Sequence, residues 1–261
     1  MSKLLICFLF MIGCLSATDI DMVLINPIDQ IVYPFFVAKT PITQEQFYDI
    51  MGTNLSVFKN ENSPAERVSW YETLVFCNLL SLAHGFEPVY YYHRNQDQSD
   101  IPTKDINEWM SGGLRGIPSH RIMLWNMIGI DEYANGYRLL SREEWNFLYD
   151  SLEEDIFENI EDYAWIYSNS DNKTHPVALK NRDSNGLYDF LGNVKEWLFE
   201  EQGNISDRFF RYSSPEEERF YNTLGYKKFL VQEFTIVRDP RGFVPVTRSS
   251  MIGFRIARNA D

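Results

Sequence analysis

The sequence predicts an α+β domain, and three observations carry that prediction. Capped helical patterns crowd the first part of the chain, turn-rich short strands crowd the last, and no strand–helix–strand alternation joins them. A length of 261 residues suits one domain able to bury a sizeable core without staples. Aromatic residues make up 15% of the chain, and large rings bury enough surface to hold together a fold with much loop and little regular structure.

The elements follow in order. Lys3 precedes an unbroken apolar run, Leu4 to Ile12, and then Gly13-Cys14. That run is far short of the roughly 20 residues a membrane helix needs and has the proportions of a secretory signal. Met11-Ile12-Gly13-Cys14 is patterned as a bacterial lipobox, in which cleavage before Cys14 frees its thiol for lipidation; ordinary cleavage near Ser16-Ala17 is the alternative. The sequence thus predicts a signal over 1–17, an N-terminal segment over 18–34 and a domain over 35–258.

Within the domain, Phe35 to Ala38 reads as a strand. Thr43, with Gln46 at the capping-box position, opens a helix through about Met51. A second helix is predicted from Trp70 to about Ala83, where Leu74, Phe76, Cys77, Leu80 and Ala83 recur at helical spacing and Gly85 supplies a stop. Val89 to His93 is an aromatic strand. The texture then changes, and 94–132 reads as an insertion containing a surface loop. Gly136-Tyr137-Arg138-Leu139 leads into a helix capped by Ser141 and Glu144 and running to about Leu152. The acidic stretch Glu153 to Asp162 reads as a solvated face. From Tyr163 onward short strands and turns are expected, with strong turn signals at Asp183-Ser184-Asn185-Gly186 and Gly192-Asn193. Ser213 to Arg219 reads as a loop, Phe229 to Val237 as a β-rich run and Ile252 to Ala257 as a terminal strand.

Composition narrows function by exclusion. Asp and Glu outnumber Lys and Arg, 37 to 24, for a net charge of −13. Phosphate binding needs basic patches, so nucleic acid is excluded as a partner, and an anionic membrane would repel the bare protein surface. Of three cysteines, Cys7 leaves with the signal and Cys14 would carry lipid. Cys77 then stands alone, no intradomain disulfide can form, and acyl chains supply any membrane attachment. On the apolar face of a helix its thiol is expected to be protonated and shielded. His84, His93, His120 and His175 lack metal-ligand spacing, and no nucleophile elbow, phosphate loop or dinucleotide fingerprint occurs. The densest polar constellation runs from Asp183 to Glu196. Asn193 and Glu196 around the Gly192 turn offer oxygen ligands of the kind Ca²⁺ takes; equally, Asn and Gly simply build turns.

Several short blocks now occur in a telling order: Pro41-Ile42-Thr43-Gln44-Glu45-Gln46-Phe47, Val68-Ser69-Trp70 with Phe76-Cys77-Asn78, and Gly136-Tyr137-Arg138-Leu139 with Arg142-Glu143 and Trp145. His175-Pro176-Val177, Asn185-Gly186-Leu187-Tyr188-Asp189, Gly192-Asn193-Val194 with Glu196-Trp197, and Gly253-Phe254-Arg255 with Ala257 complete the series. Together they resemble the formylglycine-generating-enzyme, or sulfatase-modifying-factor, domain over residues 35 to 258, apart from 94–132 and a poorly matched 200–247. The resemblance implies a single α/β roll of the C-type-lectin-like kind, low in regular structure. It also implies an oxidase in which two late cysteines bind copper, because soft thiolates hold Cu(I). Here the corresponding stretch, Lys228 to Val237, contains no cysteine, and none follows Cys77. Copper is therefore not expected, nor are catalytic residues. The His-rich pattern of an iron-using branch is absent too. Family members carry structural calcium, which the resemblance assigns to Asn193 and Glu196; at a second calcium site the aspartate position is Ala178. The expectation is a non-catalytic binding or assembly module on a bacterial envelope lipoprotein, with an enzyme of altered chemistry as the alternative. Trp109, Trp125, Tyr221 and Tyr226, on the divergent stretches, are the candidate contacts for a protein or glycan ligand.

Overall fold

A computed structural model describes residues 18–27, 32–93, 99–105, 128–199 and 248–260. Cys14, Trp109, Trp125, Tyr221 and Tyr226 lie outside the described residues, as do the expected loop at 213–219 and β-rich run at 229–237. The elements are β1 (Met22–Ile25), β2 (Phe35–Ala38), α1 (Gln44–Met51), α2 (Trp70–Ala83), β3 (Tyr90–Tyr92), β4 (Ile128–Ile130), β5 (Tyr137–Leu139) and α3 (Arg142–Asp150). α4 (Glu154–Glu158), α5 (Ile160–Tyr163), β6 (Lys195–Trp197), β7 (Ile252–Phe254) and β8 (Ile256–Asn259) follow. Mixed helices and small sheets make the α+β class expected from the sequence.

All three long helices start where side chains can satisfy their free N–H groups. Thr43, Ser69 and Ser141 each accept a hydrogen bond from the third helical residue, and Gln46, Glu72 and Glu144 reach back to the cap in reciprocal boxes. α1 ends at Gly52, whose φ of 66° suits a residue without Cβ.

An antiparallel sheet of order β1-β2-β8-β5 divides the interior. Period-two alternation sends Ala38, Leu139 and Ile256 to one face, where they meet Phe47 of α1 and Leu74, Phe76 and Leu80 of α2. Ile25, Phe35, Val37 and Ala257 point the other way, onto Trp145 and Leu148 of α3 and onto Ile156, Ile160 and Phe190. One short sheet therefore serves two cores. β3 pairs with β4, and β6 pairs in parallel with β7.

Two expectations, for the acidic stretch and the terminal strand, need correction, and two other segments gain a strand. The segment 18–34 contributes β1, paired with β2 from Met22↔Ala38 to Ile25↔Phe35. The acidic stretch is more than a solvated face, since α4 and α5 bury Ile156 and Ile160. The far end of the 94–132 stretch holds strand β4. The terminal strand is two strands in different sheets, broken at Arg255.

A buried arginine hub and a candidate recognition face

The break at Arg255 has a physical cause. Its side chain is fully buried, and a charge cannot be left there unpaired. The guanidinium faces both carboxylate oxygens of Glu196, Nε lying 3.2 and 3.3 Å away. Nη1 donates to the Ala38 carbonyl at 2.8 Å and Nη2 to the Tyr188 carbonyl at 2.7 Å. One side chain thereby ties β2, the turn before β6, β6 itself and the β7–β8 junction. Burial pushes the Glu196 carboxyl up, to about 7, against the pull of the Arg255 charge. Both residues stand in the family blocks, but their pairing was missed. The available signal was an arginine inside an otherwise apolar terminal run, because such a charge is almost never buried without a partner.

The turn before β6 is held as tightly. Asn193 adopts a left-handed φ of 65°, and its amide clamps the His175 backbone, accepting from the N–H and donating to the carbonyl, each at 2.9 Å. Its own N–H donates to the Trp165 carbonyl at 2.8 Å. A Cβ on neighbouring Gly192 would lie 2.4 Å from that same oxygen, so the turn excludes any larger residue. Buried Asp189 accepts from the Ala178 N–H at 2.8 Å. Ala178 stands in the left-handed region, with φ 58°.

These contacts bear on calcium. A hard cation needs six to eight oxygens free to converge. Asn193 turns its oxygen to His175, and Glu196 turns both of its oxygens to a fixed guanidinium charge. So arranged, this pair does not fit a cation; it fits a structural hub. Among the described residues no three His, Cys, Asp or Glu side chains converge to hold a metal. Cys77 lies fully buried within α2, and burial pushes its thiol far above the usual range.

Another cluster gathers where the chain departs from the family pattern. Phe199, immediately before the 200–247 stretch, stacks on Trp70 with centroids 5.7 Å apart and planes 16° from parallel. It also lies 5.0 Å from the Tyr90 ring. Trp70 donates its indole N–H to the Leu198 carbonyl at 3.0 Å, and Trp197 donates to the Val68 carbonyl at 2.9 Å. Arg248, immediately after the stretch, forks onto Glu72, Nε and Nη2 reaching its two oxygens at 3.0 and 2.9 Å. Both ends of 200–247 therefore close on the first turn of α2. The other divergent stretch departs from β3, which begins at Tyr90, and re-enters at β4, whose Ile128 joins the same core cluster as Trp70 and Phe199. The frames of both stretches meet at one buried aromatic cluster. The two stretches are visible in the sequence but their common base is not, since Glu72 and Arg248 pair from distant segments of the chain.

Comparisons with known proteins fit this architecture. A family model described as the sulfatase-modifying factor enzyme 1-like domain matches residues 25–260. Chaperone protein LppX of Paenibacillus barcinonensis is 30% identical over 194 residues, which are 64% of this chain and 62% of that protein. The chain thus spans less than two thirds of the length of this relative. Among solved structures, Treponema denticola variable protein 1 superposes with a TM-score of 0.62 at 24% identity, covering 87% of this chain and 85% of that one. CarF superposes with a TM-score of 0.51 at 19% identity, covering 88% of each. At such identities the two structures speak for the fold alone. The family match takes in the arginine hub, every helix described above and every strand after β1, and on that extent the chain belongs to the sulfatase-modifying factor enzyme 1-like domain family.

Proposed function

We propose that this chain is an exported, lipid-anchored envelope protein whose domain binds a protein or glycan partner and does not oxidise cysteine. One observation carries the reading. Cys77 is the last cysteine in the sequence, and its thiol is buried mid-helix and held protonated. A single shielded thiol can neither hold Cu(I) with a second thiolate nor attack a substrate sulfur. A fold kept without that chemistry is free to serve recognition, because function resides in sites grafted onto folds.

The name of the Paenibacillus relative, a chaperone protein, supports a partner that is itself a protein. The ligand face is the side framed by Trp70, Phe199 and the Glu72–Arg248 pair, with Trp109, Trp125, Tyr221 and Tyr226 as contacts on the two stretches it carries. Export rests on the signal-like run, and anchoring on Cys14. No helix among the described residues is long and apolar enough to cross a membrane.

Three measurements test the reading. Oxygen uptake by the copper-supplied mature domain should show no dependence on a sulfatase-type cysteine peptide; stoichiometric copper with peptide-dependent turnover would overturn it. Affinity capture from intact cells should return a saturable partner that is lost when 106–127, which spares β4, is replaced by a short Gly/Ser linker. Metabolic labelling with palmitate should mark the wild type and not Cys14→Ala.

A further inference from the structure

The described fold begins firmly. Thr18 and Ile20 are both buried. Thr18 donates its hydroxyl to Asp49 at 3.1 Å, and its carbonyl lies 3.2 Å from His84 Nε2. Gln46 donates to the Asp19 carbonyl at 3.2 Å. The start of the domain is thus pinned between the last turn of α1 and the residue that ends α2.

Two large apolar side chains stand open at this end. Tyr48, beside Asp49, is 56% exposed, and Leu82, two residues before His84, is 53% exposed. Both belong to the last turns of their helices. Asp19 and Asp49 share the region, so charge alone would not draw it to an anionic surface.

Chain length then sets what this end can meet. This step rests on lipidation at Cys14, as proposed above. Four Cα steps separate Cys14 from Thr18, and at roughly 3.3–3.6 Å each they span no more than about 14 Å. A domain so tethered cannot turn its pinned start far from the bilayer. We infer that the end of the fold formed by the last turns of α1 and α2 is its membrane-facing surface, with Tyr48 and Leu82 touching lipid. Phe199 and Arg248, which flank 200–247, sit on Trp70 and Glu72 in the first turn of α2, at the opposite end of that helix, so a partner held there is not blocked by the bilayer. Apolar contact offsets the acidic surroundings, and the acyl chains hold it in register.

The test uses full-length acylated protein added to preformed vesicles of phosphatidylethanolamine and phosphatidylglycerol. Cysteines are introduced singly by Tyr48→Cys, Leu82→Cys and Glu158→Cys, the last on α4 across the central sheet, and labelled with a bulky impermeant maleimide. Labelling of the first two should slow several-fold on vesicles relative to the same variants carrying Cys14→Ala, with Glu158→Cys unchanged. Equal labelling at all three positions in protein shown by mass to carry acyl chains would overturn this orientation alone. An absence of acyl mass on Cys14 would overturn the anchor and, with it, the orientation.

Discussion

At the scale of single residues, the Arg255–Glu196 pair decides most. Removing one partner of a buried ion pair leaves an uncompensated charge, at a cost of about 3–5 kcal/mol. Glu196→Gln is therefore expected to lower the urea midpoint sharply, and Arg255→Met more so, since it also orphans the Ala38 and Tyr188 carbonyls. The double change Glu196→Leu with Arg255→Met should cost less than the sum of the single ones. Additive losses would show that the two side chains do not act as a pair. Asp183 offers a pH signature. Its Oδ1 accepts the N–H groups of Asn185 and Leu187, while Oδ2 is buried without a hydrogen-bond partner among the described residues. Burial raises this carboxyl from 3.8 to about 6. The folded state thus holds the proton more tightly than the unfolded one. Its stabilisation is complete below pH 3.8 and is lost as pH rises through about 6. Two units at about 1.4 kcal/mol each bound the loss at about 3 kcal/mol. Asp183→Asn keeps the Oδ1 acceptor and should flatten the decline of stability between pH 4 and pH 7; an unchanged slope in denaturant titrations would refute this origin.

At the scale of elements, what was legible in the sequence was local. The three capping boxes name their own partners within four residues, so α1, α2 and α3 were readable to within about two residues. α4 and α5 were not, because Ile156 and Ile160 offer two apolar positions in an acidic run, too few to display a period. β1 was hidden for another reason: a four-residue strand is too short to display a period and is specified by the neighbour it pairs with, β2. The split between β7 and β8 required knowing that Arg255 turns inward to Glu196. The same limit applied to calcium, where the turn was visible and the guanidinium opposite it was not. Gly253 gives this scale its prediction. A Cβ there would lie 2.6 Å from the Ala65 carbonyl oxygen, a backbone atom that cannot step aside. Gly253→Ala should therefore loosen the β6–β7 pairing and cost more than Ser141→Ala, which removes one cap at about 1 kcal/mol. Thermal melts of the two variants compare them directly, and a milder Gly253→Ala would show that the strand shifts freely.

At the scale of the whole molecule, the separation of support from recognition makes a strong claim. The central sheet, its two cores and the arginine hub all lie in the described residues, and the ends of the 200–247 stretch are fixed by Phe199 on Trp70 and Arg248 on Glu72. If those stems suffice, the stretch serves the partner and not the fold. Replacing 201–246 with a Gly/Ser linker about a fifth as long lowers the loop-closure cost by about 1.4 kcal/mol. In a chain of this size such a change raises the melting midpoint by only about 3–6 °C. The expected variant therefore melts near the wild type, keeps the stability contributed by Arg248, and fails to capture the partner that the intact domain retains. Restoring the native stretch with Tyr221→Ala and Tyr226→Ala should recover folding without full binding. A large fall in the melting midpoint of the linker variant would place part of the core within 200–247, and the divergent stretch would then have to be counted as scaffold.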